Sequence, residues 1–160
     1  MKKLAAIALG SNLESRFGDR EANLWEAVER LRELGEVRAV SSVYDTEPVG
    51  YLNQPRFLNA AVLLETSLDP TELMRALLEV ERAMGRERAG MVAKGPRVID
   101  LDLLLYGQAV VNTTELTLPH PEMMERRFVL EPLAEIAPRM VHPVLGLTVR
   151  EMLARVGQER

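Results

Sequence analysis

Apolar positions recur along this chain with two periods, and glycine, proline and capping residues mark where one period gives way to the other. Residues 3–10 are apolar almost throughout, as in a strand buried on both faces. Gly10-Ser11-Asn12 ends that run and opens a polar loop to Gly18. From the capping residue Asp19, the apolar positions Ala22, Leu24, Trp25, Val28, Leu31 and Leu34 follow helical spacing, and Gly35 is placed to close the helix. Val37, Val40, Val43 and Tyr44, spaced by Ser and Thr, predict one strand between Glu36 and Val49. Pro48 and residues 50–55 form a loop before a second strand from Arg56 to Thr66. Asp69-Pro70 is a cap followed by proline at the first helical position, and Leu73, Met74, Leu77, Leu78, Val80 and Met84 continue at helical spacing to Gly85.

Residues 85–96 hold Gly85, Gly90, Gly95 and Pro96 among Arg86, Arg88 and Lys94, the composition of a mobile basic loop. Arg97 to Tyr106 reads as a strand, with Gly107-Gln108 as a hairpin turn into Ala109-Val110-Val111. Beyond Pro121 short helices are expected, broken at Pro132, Pro138 and Pro143, and Thr148 caps a last helix over Val149–Val156. The order β-α-β-β-α-β is the ferredoxin-like arrangement, an α+β fold with two helices on one face of an antiparallel sheet, here with a C-terminal extension. No repeat or second domain interrupts it, so residues 1–160 read as a single domain.

The net charge of −4 gives no positive field for a nucleic-acid backbone, and no obligate protein partner is indicated. The absence of cysteine removes disulfides, thiolate metal sites and cysteine nucleophiles. No apolar run reaches the roughly 20 residues of a membrane span, and the short N-terminal run reads as a strand, not a signal. A cytoplasmic location is expected.

The strongest local signal is Val98-Ile99-Asp100-Leu101-Asp102-Leu103-Leu104-Leu105-Tyr106. Alternation places Asp100 and Asp102 on one face, about 7 Å apart along the strand, with Ile99, Leu101, Leu103 and Leu105 on the other. Two carboxylates so placed repel unless a cation or an arginine lies between them, and Mg²⁺ takes such a pair with phosphate oxygens and water. Arg86, Arg88, Lys94 and Arg97 precede the pair, and guanidinium forks fit phosphate oxygens. Phe57 and Asn59, two apart, share a face and suit a flat heterocycle. His120 stands between two prolines, followed by Arg126 and Phe128, whereas His142 reads as structural. None of the usual phosphate-loop or dinucleotide motifs occurs.

With those residues in place, the chain resembles the 6-hydroxymethyl-7,8-dihydropterin pyrophosphokinase family of folate biosynthesis. The resemblance runs from about Leu4 to Leu153. It is carried by Ala8-Leu9-Gly10-Ser11-Asn12-Leu13, Ser41-Ser42-Val43-Tyr44, Thr46-Glu47-Pro48, Phe57-Leu58-Asn59-Ala60-Ala61, Gly85-Arg86, Gly95-Pro96-Arg97 with Asp100-Leu101-Asp102, and Pro119-His120 with Arg126 and Phe128. It implies pyrophosphoryl transfer from ATP to a pterin alcohol, with two Mg²⁺ ions held by Asp100 and Asp102. It also implies an ATP side lined by Glu81, Arg86, Arg88, Arg97, His120 and Arg126, with Arg97 and His120 on the phosphates. Thr46, Phe57, Asn59 and Phe128 would surround the pterin. Ala93-Lys94 stands where relatives carry Arg-Trp, and Leu78 where many carry Gln. The rival reading is a ferredoxin-like module that binds a small ligand without turnover.

Overall fold

The computed structural model describes residues 1–48, 53–85 and 97–158. Its main sheet is antiparallel and comprises β1 (Lys3–Ser11), β2 (Glu36–Val40), β3 (Tyr44–Thr46), β4 (Phe57–Thr66) and β5 (Asp100–Tyr106). The spatial order is β2-β4-β1-β5, and β3 runs beside β4 beyond the end of β2. The helices α1 (Arg20–Leu31) and α2 (Pro70–Ala83) connect these strands. This is the ferredoxin-like α+β order read from the sequence.

Both connecting helices begin where capping chemistry places them. Asp19 accepts from the Ala22 amide. Asp69 and Glu72 form a reciprocal capping box at 2.8 and 2.9 Å, with Pro70 at the first position. Gly85 closes α2 at φ +103, a conformation open to glycine. Gly35 has a different role from the expected helix closure. A Cβ there would lie 2.2 Å from the Glu65 carbonyl oxygen, so glycine lets the chain entering β2 pass against β4.

One apolar core lies between the sheet and α1/α2. It holds Ile7 and Leu9 of β1, Val62 and Leu64 of β4, and Leu101 and Leu103 of β5. The C-terminal extension builds a second core on the opposite face. There α3 (Arg127–Ile136) and α4 (Val149–Gln158) cover Ala6, Ala61, Leu104 and Leu105. The sheet is therefore sandwiched, with helices on both faces.

Five local expectations are corrected. The strand expected over Glu36–Val49 is split into β2 and β3. At the break Ser41 bonds to β4, its amide donating to Ala61 O at 2.9 Å and its hydroxyl accepting from Ala61 N at 2.8 Å. The strand expected from Arg97 starts at Asp100, because Arg97 bonds to Asn12 outside the ladder (Arg97 N to Asn12 Oδ1 2.7 Å, Asn12 N to Arg97 O 3.0 Å). Leu105 leaves the face of Leu101 and Leu103. The pairings Ala6↔Leu105 and Ile7↔Leu103 leave one extra residue on β5, and that bulge moves Leu105 into the second core. The turn at Gly107 forms, but the following strand, β6 (Val111–Asn112), pairs with β7 (Thr117–Leu118) and not with β5. The outer edge of β5 is taken instead by the His120 amide, which donates to Leu104 O at 2.9 Å. Finally, Pro132 lies inside α3, buried, and does not break it. Thr148 caps α4 as expected, reciprocally with Glu151.

Candidate active site

At one end of the sheet, on the α3 face, a pocket opens where four strands meet. Cross-strand partners face the same way, and the register places Gly10 of β1 between Asn59 of β4 and Asp100 of β5. Thr46 of β3 pairs with Phe57, and Tyr44 with Asn59. Thr46, Phe57, Asn59, Asp100 and Asp102 therefore converge on one cavity, walled by Arg97, Arg126, Phe128 and Val129.

One side of the cavity is suited to a flat ring. Phe57 lies on the sheet, Phe128 stands at the start of α3, and the buried Asn59 donates from Nδ2 to Thr46 Oγ1. The Arg126 guanidinium sits 5.7 Å from the Phe128 ring centroid and pairs with Glu122 at 2.9 Å. Asp100 and Asp102 of β5 line the same cavity as Arg97 and Arg126, which makes the β5 side charged. The two carboxylates offer a hard, all-oxygen donor set. Among the described residues no group of three or more His, Cys, Asp or Glu forms a ready metal cage. A cation held here would complete its shell with water or phosphate oxygens, which suits Mg²⁺.

His120 is not among the residues that line the pocket. His120 is partly buried, and its Nδ1 accepts from the Glu122 amide at 3.2 Å, which leaves the ring proton on Nε2. Burial first, then the Arg126 charge, hold His120 below its ordinary value of 6.5, against the opposing pull of Glu122 and Asp100. Glu81 does not line the pocket. It is buried on α2, and its Oε2 accepts from the Leu101 amide at 2.7 Å, anchoring the outer edge of β5 between the two aspartates. Arg86, Arg88 and Lys94, with the basic loop they belong to, lie outside the described residues.

The sequence reading missed Gly10 and Glu47 as pocket residues. Gly10 had a signal: a glycine inside a strand marks close approach of another group. Glu47 stood within the Thr46-Glu47-Pro48 block of the resemblance, but as one acidic residue near the end of an expected strand it carried no chemical signal of its own.

The chain matches the family described as 7,8-dihydro-6-hydroxymethylpterin-pyrophosphokinase over residues 6–138. The chain belongs to this family. It is 49% identical over 138 residues to a 2-amino-4-hydroxy-6-hydroxymethyldihydropteridine pyrophosphokinase of Bacillus subtilis, covering 85% of this chain and 79% of that one. A Methylorubrum extorquens pyrophosphokinase of the same description is 47% identical over 154 residues, covering 95% and 92%. Longer proteins also match. The folic acid synthesis protein fol1 of Schizosaccharomyces pombe is 38% identical over 96% of this chain, which spans 20% of that protein's length. In fold, the chain resembles a Plasmodium falciparum HPPK-DHPS solved with pteroate. The TM-score is 0.74 at 16% identity, over 97% of this chain and 42% of that one.

Proposed function

We propose that this pyrophosphokinase moves the terminal pyrophosphoryl group of ATP to the hydroxymethyl oxygen of 6-hydroxymethyl-7,8-dihydropterin within the pocket just described. AMP and the pterin diphosphate are the products. The observation that carries the reading is a shared cavity: the slot residues Phe57, Asn59 and Phe128 line it together with Asp100, Asp102, Arg97 and Arg126. A pterin seated in the slot has its hydroxymethyl arm directed at the charged side.

Phe57 and Phe128 stack on the ring, while Asn59 and Thr46 bond its polar edge. Arg97 and Arg126, with Arg86, Arg88 and His120, hold the ATP phosphates, His120 donating from Nε2. Glu81 acts through β5, keeping Asp100 and Asp102 at a fixed pitch. Asp100 and Asp102 would hold two Mg²⁺ ions, which supply neutralisation of the polyphosphate charge. The hydroxyl oxygen attacks the β-phosphorus in line and gives its proton to water, the bond from that phosphorus to the oxygen bridging it to the α-phosphate breaks, and AMP departs carrying that oxygen. Such a transfer depends mainly on positioning and on charge stabilisation.

Residues 1–160 form one catalytic domain in this reading, supported by a single sheet that shares its two faces between the two cores. Among the described residues no helix is long and apolar enough to cross a membrane. We place the enzyme in the cytoplasm, where ATP is available. The test is AMP formation by Asp100→Ala and Asp102→Ala. Each should lose roughly hundredfold or more in turnover, since several kcal/mol of charge stabilisation leaves with the cation. Their melting temperatures should stay near wild type. Normal Mg²⁺-dependent rates in both would remove the metal assignment.

A further inference from the structure

α3 reaches the pocket at one end and a distant loop at the other. Its first residues bring Phe128 and Val129 to the cavity. About two turns later, roughly 10 Å along the axis, comes Glu135. Its carboxylate accepts from the Ser42 amide through both oxygens at 3.0 Å, from the Ser42 hydroxyl at 3.0 Å and from the Tyr44 hydroxyl at 2.8 Å. One carboxylate thus gathers three donors from a single short segment, each bond strengthened by its charge.

That segment is also held from its other side. The Ser41 hydroxyl and amide bond to the backbone of Ala61 on β4. β3 follows at once, with Tyr44 opposite Asn59 and Thr46 opposite Phe57. The carboxylate therefore joins the helix that carries one aromatic wall of the slot to the strand that lies along the other. Its charge state is steady. The bond to Glu135, then burial and the negative charges of Glu135 and Glu131, push the Tyr44 hydroxyl up to about 12. For Glu135 burial acts upward, but the bonds from Tyr44 and Ser42 outweigh it and hold the carboxyl below its ordinary value.

We propose that Glu135 is a positioning residue for the flat-ring side of the site: by clamping α3 to the segment that enters β3, it sets the separation of Phe57 and Phe128. It touches no substrate. The proposal rests on reading the slot as the pterin site.

The experiment is steady-state AMP formation by the full chain, with pterin alcohol and ATP each varied, alongside melting temperatures. It compares wild type, Glu135→Ala, Glu135→Gln and Tyr44→Phe. Glu135→Ala should raise the pterin KM roughly tenfold and move the ATP KM by less than about twofold, because only one wall of the site shifts. Glu135→Gln keeps the side-chain length and one carbonyl acceptor, and should recover most of the loss. Tyr44→Phe removes one of the three donors and should give a smaller rise in pterin KM. A lowered melting temperature with an unmoved pterin KM in Glu135→Ala would overturn the proposal, as would equal losses for both substrates. If Glu135→Ala does not fold, an unmoved pterin KM in both milder variants overturns it equally. A wild-type chain that forms no AMP overturns the pterin reading itself, and the proposal with it.

Discussion

Replacing Gly10 with alanine separates the strength of the fold from the shape of the site. Gly10 lies inside β1, paired with Asn59 on one side and Asp100 on the other, and its backbone lines the pocket. A Cβ there would meet Asn59 Oδ1 at 3.3 Å and Phe57 Cδ1 at 3.6 Å, and nothing closer. The second distance is ordinary contact. The first requires Asn59 to yield by a few tenths of an ångström. Alanine reduces the freedom of the unfolded chain, which favours folding by about 0.4–1 kcal/mol where the backbone suits it. The tight contact offsets part of that gain, so net stability should stay within about 1 kcal/mol of wild type. Pterin binding should suffer far more. The methyl occupies the floor of the slot and turns Asn59 away from the polar edge of the ring. A polar edge left without its partner costs about 1–3 kcal/mol, roughly five- to 150-fold in affinity. Calorimetric titration with the pterin and, separately, with a non-hydrolysable ATP analogue, next to a thermal melt, reads all three quantities. An unchanged pterin affinity would refute the reasoning. So would a collapse in melting temperature, because the space around Gly10 would then have been misjudged.

Gly35→Ala should behave in the opposite way. A Cβ 2.2 Å from the Glu65 carbonyl oxygen cannot be relieved by turning a side chain, so β2 must leave β4. The expected cost is about 3 kcal/mol, seen as a fall of roughly 6–12 °C in melting temperature, with both substrate KM values unchanged in the folded fraction. His142 carries a pH prediction. Its Nδ1 accepts from the Val144 and Leu145 amides at 3.3 and 3.1 Å, and burial holds it below its ordinary 6.5. The unfolded chain therefore binds more protons in the window from 6.5 down to the folded value, and stability falls as the pH drops through that window. Thermal melts of wild type and His142→Asn between about pH 5 and 7.5 should converge toward acid, where the ordinary histidine range is crossed. Parallel curves would show that the bonds to Nδ1 do not hold this turn.

Signals confined to a few adjacent residues could be read directly from the chain. Asp69 followed by Pro70, and Thr148, announced their helices, because a cap lies within one turn of the residues it serves; the structure adds Glu72 and Glu151 as their reciprocal partners. The shared face of Asp100 and Asp102, and of Phe57 and Asn59, followed from strand alternation. What stayed hidden depended on partners far along the chain. The bulge that moves Leu105 arises in pairing β5 with β1, about a hundred residues away, and leaves no local mark. Gly35 looked like a helix end, while its real constraint is the Glu65 carbonyl on another strand. The second core was obscured because Pro132 sits inside α3, where its ring was expected to stop a helix. Glu81 has the helical spacing of an apolar residue, and only its burial against the Leu101 amide shows that it supports β5. The Glu135 clamp spans 93 residues to Ser42 and 91 to Tyr44, beyond any local pattern.

Pyrophosphoryl transfer is defined by which bond of ATP breaks and where the released group goes. Phosphorus NMR of the wild-type chain with ATP, Mg²⁺ and 6-hydroxymethyl-7,8-dihydropterin answers both at once. The expected spectrum gains AMP and a diphosphate ester on the pterin in equal amounts, with neither formed when the pterin is left out. Formation of ADP, or of AMP with free pyrophosphate and no pterin ester, would contradict the proposed transfer.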